Sequence, residues 1–144
     1  MNQKDERKCE NILEAASLRK TEPRMAVLSA LLRASRPMSQ EKIAAKLSPN
    51  RPNKVTIYRT LETLVKKRVV HKAFLEERVV YYEISDRCTE QQCHPHFTCR
   101  RCGETRCIPE VTLPMAKNPL KGFEIIHQQV RLEGFCPECS GRRA

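Results

Sequence analysis

The sequence predicts an α+β protein built in two parts, and three observations carry that prediction. Helix-spaced apolar stripes fill residues 4–67, two β-rich runs follow at 69–84, and two Cys-x-x-Cys pairs mark the last third. A pattern that changes from a 3.6-residue period to strand-like runs places helices ahead of a hairpin. A chain of 144 residues has room for one domain or two small ones.

Residues 4–17 read as a helix, with Ile12, Leu13 and Ala16 forming a narrow apolar stripe and Cys9 a passive thiol. In Leu18-Arg19-Lys20-Thr21-Glu22-Pro23-Arg24, Thr21 can cap a second helix. Pro23 is tolerated in its first turn, where amide hydrogens lack partners anyway. That helix carries Val27, Leu28, Leu31 and Leu32 at the spacing of a buried face. Arg36-Pro37 breaks it, and Ser39 starts a short helix with Ile43 and Leu47. Ser48-Pro49-Asn50-Arg51-Pro52 is a turn, because its prolines cannot continue a helix. Asn53 then caps a helix from Lys54 to about Lys67. Ile57, Leu61, Leu64 and Val65 line its inner face. Val55, Arg59, Glu62 and Lys66 fall opposite, with Thr56 and Tyr58 on the flanks. Such a face can reach phosphates and base edges in a major groove; it equally describes a solvated helix surface.

Val69 to Leu75 and Arg78 to Ile84 read as a hairpin around Glu76-Glu77. Three compact helices and a hairpin make a winged helix, in which the last helix reads DNA. Asp86 to Gln92 is polar, so the expected organisation is a domain over 1–85, a hinge over 86–92 and a second domain over 93–144. In that second domain, residues 96–99 and 105–108 suit short strands and Phe123 to Leu132 a longer one. Pro114 and Pro119 limit any helix between Leu113 and Leu120.

Cys99-Arg-Arg-Cys102-Gly103 is answered from far along the chain by Cys136-Pro-Glu-Cys139, with 33 residues between the inner cysteines. Two such turns complete a tetrahedron of thiolates about 2.3 Å from a metal, which points to a closed, structural, four-cysteine zinc site. Gly103 suits the tight turn, since it accepts positive φ at little cost. Two disulfides, or a redox dithiol, form the competing reading. Redox proteins usually need one pair, and Met1-Asn-Gln-Lys-Asp-Glu-Arg-Lys has no apolar core to act as an export signal. No apolar run approaches the roughly 20 residues that span a bilayer, so a cytoplasmic, non-membrane protein is expected.

The net charge of +10 is uneven: residues 1–85 hold 18 basic and 10 acidic side chains, residues 86–144 only 9 and 7. Net charges of +8 and +2 favour a polyanion against the first part, with nucleic acid ahead of membrane; a solubilising surface is the blander reading. Enzyme readings fail on specifics. A nucleobase deaminase needs His-x-Glu before its Pro-Cys-x-x-Cys, whereas His94-Pro-His96 lacks the glutamate and Phe135 precedes Cys136. Cys93-His94 is a formal hydrolase pair, but adjacent residues usually point apart and no Gly-rich oxyanion loop is present. A zinc-ribbon RNA-binding or scaffold protein fits the charge and the cysteines, while leaving the winged helix unexplained.

The order of Thr21-Glu-Pro-Arg24, Val55-Thr-Ile-Tyr-Arg-Thr-Leu61, His94-Pro-His-Phe-Thr-Cys-Arg-Arg-Cys-Gly103 and Gly134-Phe-Cys-Pro-Glu-Cys139 resembles the ferric uptake regulator (Fur) superfamily of metal-responsive repressors, over about residues 10–140. The resemblance implies an N-terminal winged helix and a small C-terminal α/β dimerisation domain holding the four-cysteine zinc knot. It further implies a homodimer on an inverted-repeat double-stranded DNA operator. Tyr58 and Arg59 would contact DNA, as would Arg19 before the first wing helix; Asn53 and Thr56 join them as candidates. A second, regulatory metal would sit at the hinge. The iron-sensing pattern is altered at two points. Pro95 stands where an aspartate ligand is common, and Gln128 follows His127 where many iron sensors place a histidine.

Val70-His71-Lys72 together with Cys88 is most like the zinc uptake regulator (Zur) branch. That likeness implies a regulatory site of His71, Cys88, His94 and His96, with Glu83 or Cys107 as alternative ligands. One thiolate and three imidazoles suit Zn2+ better than the oxygen-rich sets used for manganese, with Fe2+ or Mn2+ as the other cations to consider. The blander reading has His94 and His96 supporting the knot and His71 on the surface. The expected function is a zinc-sensing, dimeric repressor of metal-uptake genes. An iron- or peroxide-sensing regulator of the same superfamily is the alternative. Cys9, Cys93 and His127 receive no role.

Overall fold

The computed structural model describes residues 3–34, 36–47, 52–86, 88–89, 92–117 and 120–141. Its backbone divides into two compact units, Met1–Asp86 and Arg87–Ala144. The Ser48–Pro52 turn lies outside the described residues except for Pro52, as do residues 87, 90 and 91 of the hinge. No helix among the described residues is long and apolar enough to cross a membrane.

The first unit runs α1 (Gln3–Ala15), α2 (Glu22–Leu32), β1 (Met38–Ser39), α3 (Gln40–Lys46), α4 (Lys54–Lys66), β2 (Val70–Glu76) and β3 (Val79–Ile84). Thr21 stands at the N-cap of α2 with extended backbone, although its side chain makes no capping bond. Ser39 Oγ accepts the amide of Lys42 at 3.3 Å, and Asn53 Oδ1 accepts that of Thr56 at 2.8 Å, so α3 and α4 start at side-chain caps. Cys9, Leu13, Val27, Leu28, Ile43, Ile57, Leu61 and Leu64 pack into one core, each essentially sealed from water. The stripe expected on α2 understates its burial, since Ser29 and Ala30 are buried as well. The reason is position: α2 is touched by α1, α3, α4 and β3.

The three strands of this unit are ordered β1-β3-β2, all antiparallel. The two-residue β1 is too short to show in any sequence period. The hairpin turns one residue later than expected, at Glu77-Arg78. Both residues are left-handed, with φ of 47° and 67°, which matches the right-handed twist of the flanking strands. A bulge between Lys72 and Phe74 lets consecutive Ala73 and Phe74 both be buried, with Phe74 stacked on Tyr81 at 4.5 Å.

The second unit has a sheet ordered β5-β4-β6, from β4 (His96–Cys99), β5 (Thr105–Cys107) and β6 (Arg131–Gly134), and ends in a single turn of helix, α5 (Pro137–Ser140). β5 runs antiparallel to β4, and β6 parallel to it. The long strand expected over Phe123–Leu132 is a correction. Only Arg131–Gly134 forms strand, preceded by an isolated bridge between Gln92 and Gln128. A strand needs a neighbouring edge, and β4 offers four residues, which β6 uses up. Upstream, Phe123 and Ile126 are exposed. Residues 113–117 have no regular structure.

Candidate metal centres and nucleic-acid interface

The sheet of the second unit brings the two Cys-x-x-Cys halves together by register. Cys99 closes β4 opposite Gly134 of β6, so the chain on either side arrives at one place. After Cys99 the backbone reverses through Gly103 at φ 71°, whose amide donates to the Cys99 carbonyl at 2.9 Å. After β6, the amides of Cys139 and Ser140 donate back to the Cys136 carbonyl, forming the second turn. Gly134 fits closely, since a Cβ there would sit 3.1 Å from the Phe97 ring and would need that ring to shift. Arg101 ties the halves: its Nη1 donates to the Cys139 carbonyl at 2.7 Å, and its guanidinium lies over Phe135 at 5.5 Å.

The sulfurs of Cys99, Cys102, Cys136 and Cys139 all lie within 4.8 Å of one another. Cys102 and Cys136 are 3.9 Å apart, against the roughly 3.8 Å between two thiolates on a tetrahedral zinc. Backbone N–H groups of Cys102 and Cys136 draw the Cys99 thiol down to about 6. Hydrogen bonding to Cys136, reinforced by desolvation, pushes Cys139 up to about 12. By itself the cluster favours one thiolate and resists further negative charge. A dication removes that resistance, so the donor set fits structural zinc.

A second cluster occupies the start of the same unit. Thr89 and Gln92 are tied to each other, with the Thr89 amide donating to the Gln92 carbonyl and the Gln92 amide to Thr89 Oγ1, each at 2.9 Å. This brings Cys88 back onto Cys93, sulfur to sulfur at 2.7 Å. His94 Nδ1 lies 3.9 Å from each of those sulfurs. His96 opens β4, is buried, and its ring centroid is 4.9 Å from that of His94. The structure therefore gathers Cys88, His94 and His96, three of the expected regulatory ligands, and adds Cys93. Spacing gives no hint of Cys93, because it precedes His94 directly.

The remaining candidates stand on other elements. His71 is in the first unit on β2, where its Nε2 meets Glu83 Oε1 of β3 at 2.8 Å and Ser85 Oγ lies 3.4 Å from its Nδ1. Cys107 faces His96 across the β4–β5 ladder and joins none of the potential metal clusters among the described residues. Gln128 does structural work: its Oε1 accepts the Ala116 amide at 2.7 Å and its Nε2 donates to the Pro114 carbonyl at 3.1 Å. His127 is exposed.

On α4 of the first unit, Tyr58 is half exposed and Val55 more so, with Arg59 also open to solvent. Thr56 is partly buried beneath the Asn53 cap. Arg19 lies exposed in the link before α2, where its carbonyl accepts Arg24 Nη1 at 2.8 Å. Glu62 pairs with Lys72 of β2 at 3.1 Å while both side chains stay partly exposed.

Residues 15–133 match the Ferric uptake regulator family. Ferric uptake regulation protein 2 of Mycolicibacterium fortuitum is 31% identical over 140 residues, spanning 91% of this chain and 92% of that protein. A zinc uptake regulator complexed with zinc and DNA shares the fold at a TM-score of 0.67 and 23% identity, over 96% of this chain and 95% of the other. The ferric uptake regulator of Pseudomonas aeruginosa with manganese does so at 0.62 and 23%, over 89% and 97%. Zinc- and iron-named proteins are thus matched alike, and the zinc branch is not singled out. With the family match running through most of both units, this protein belongs to the ferric uptake regulator family of metal-responsive transcription regulators, which are not enzymes.

Proposed function

We propose that the chain is a cytoplasmic, zinc-sensing, dimeric repressor of metal-uptake genes that binds an inverted-repeat operator. The observation that carries the zinc reading is the sulfur at the sensory cluster: Cys88 and His94 Nδ1 stand 3.9 Å apart beside His96. Thiolate with imidazole suits zinc better than the oxygen-rich sets preferred by manganese. In this reading Cys99, Cys102, Cys136 and Cys139 hold one structural zinc per subunit, and Cys88, His94 and His96 hold a regulatory one. His71 supplies the fourth ligand, with its neighbour Glu83 as the alternative. A cation bound there supplies charge and a preferred ligand geometry. Donors drawn from both units would make metal binding favour one arrangement of the DNA-binding unit, which is how affinity for DNA becomes linked to metal.

In the DNA-binding reading, α2 to α4 with the β2–β3 hairpin are a winged helix and α4 is the recognition helix. Tyr58 and Arg59 read or position on DNA, assisted by Arg19, Asn53 and Thr56. The dimer reading is supported by exposed apolar side chains in the second unit: Leu120, Phe123 and Ile126 are 64%, 68% and 80% exposed.

The experiment is DNA binding titrated against buffered free zinc and, separately, free iron, on protein purified in reductant. Zinc should raise operator affinity in the parent, and Cys88→Ser and His96→Ala should lose that response while keeping the knot zinc. His71→Ala should bind zinc more weakly and couple it poorly to DNA. An iron-sensing reading has its own support in the 31% identity to a ferric uptake regulation protein. A response to iron at concentrations where zinc does nothing decides for it.

A further inference from the structure

We propose that Cys93 is a ligand of the sensory centre, so that Cys88, Cys93, His94 and His96 form a two-thiolate, two-imidazole set carried wholly by the second unit. The inference rests on the sensory reading above and gives Cys93 the fourth place that this reading assigns to His71. Cys93 Sγ is 2.7 Å from Cys88 Sγ and 3.9 Å from His94 Nδ1, and that nitrogen is also 3.9 Å from Cys88 Sγ. Around a tetrahedral zinc, two thiolates lie about 3.8 Å apart and a thiolate and an imidazole nitrogen about 3.6 Å. Both sulfur–nitrogen edges are already close to that geometry, and the sulfur–sulfur edge has to open by about 1 Å. His96 is the fourth donor: a ring nitrogen of His96 lies within 4.8 Å of one of His94, and the two ring centroids are 4.9 Å apart.

The backbone explains how neighbours in sequence come to face one point. Hydrogen bonds between Thr89 and Gln92 hold Cys88 next to Cys93. Beyond the pair, the Pro95 carbonyl accepts the Ile108 amide at 2.9 Å and the His96 amide donates to the Val130 carbonyl at 3.1 Å. The chain just past His94 is thus anchored by hydrogen bonds to two other segments. Cys93 itself is buried, and its side-chain neighbours there include a thiol and an imidazole.

A second thiolate softens the site, which favours zinc over manganese and iron(II), and both thiols release their protons to solvent on loading. With four donors in one unit, His71 tunes the affinity and the coupling to DNA, and binding does not depend on it.

The test is cobalt(II) titrated under reductant into full-length protein whose knot is already filled with zinc. Thiolate-to-cobalt charge transfer in the near ultraviolet scales with the number of bound thiolates. The parent should show a two-thiolate band, Cys93→Ser and Cys88→Ser each about half of it, and Cys93→Ser should bind cobalt at least about tenfold more weakly. A one-thiolate band in the parent overturns the proposal without any variant. So does a Cys93→Ser protein with the parent's band and affinity, provided Cys88→Ser has lost both. If Cys88→Ser and His96→Ala also bind cobalt as the parent does, the sensory reading itself is wrong.

Discussion

At the scale of single residues, the four knot cysteines can be tested one at a time. A thiolate zinc site contributes on the order of 10–16 kcal/mol of folding free energy in small peptides, far more than a unit with a three-stranded sheet can do without. Cys136→Ser should therefore lower zinc by one per chain and unfold the second unit, read by metal analysis and near-ultraviolet circular dichroism. A folded unit with unchanged zinc counts against the assignment. The clustering of these four cysteines is legible in the sequence because Cys-x-x-Cys spacing is itself the geometry of the turn. Cys93 is not, since its meeting with Cys88 depends on hydrogen bonds between Thr89 and Gln92, and no spacing rule encodes that. Tyr58 makes the second prediction at this scale. Half exposed on α4, it should cost about 1–3 kcal/mol at the operator when replaced by alanine, with little change on random duplex. Equal losses on both, in a fluorescence-anisotropy titration, would make it a positioning residue.

Among the elements, the caps and amphipathic stripes are readable while the strands of the second unit are only partly so. Ser39 and Asn53 announce α3 and α4 because a capping side chain is a local device, complete within four residues. Phe123–Leu132 has strand composition, yet pairing requires an edge, and edges are decided by distant chain. The hairpin is evident but its turn falls one residue from the expected place, since Glu77-Arg78 lacks the glycine or asparagine that left-handed turns favour. That mismatch is also an opportunity. Each non-glycine left-handed residue costs roughly 1 kcal/mol, so Glu77→Asn with Arg78→Gly should stabilise the first unit by about 1–2 kcal/mol. A urea titration followed by helix signal reads the shift directly, and no gain would mean the tip relaxes in solution.

For the whole molecule, the relevant facts are the unequal charge of the two units and the apolar side chains left exposed on the second. A net +8 over residues 1–85 makes operator affinity fall steeply with salt, as counterions are released from phosphate. Ile126 is the most exposed of the apolar residues on the second unit, so Ile126→Glu should break the dimer at micromolar concentration in sedimentation analysis. The variant should keep its zinc, and lose affinity for the two-half-site operator far more than for a single half-site. An unchanged dimer would move the interface elsewhere.

The parallel pairing of β4 with β6 has a consequence in time. Cys99 meets Gly134 across 34 intervening residues, and closing a flexible loop of that length costs about 3 kcal/mol in chain entropy before any contact offsets it. The helices of the first unit close over short separations and form early. During synthesis, Cys99 and Cys102 therefore emerge and wait as an open pair until Cys136 and Cys139 follow. Through that interval a half-built thiol site is exposed to oxidants and to whichever soft cation arrives first. Loading of a structural metal by the four cysteines would thus be a race set by translation speed and metal supply, run before any sensing could begin.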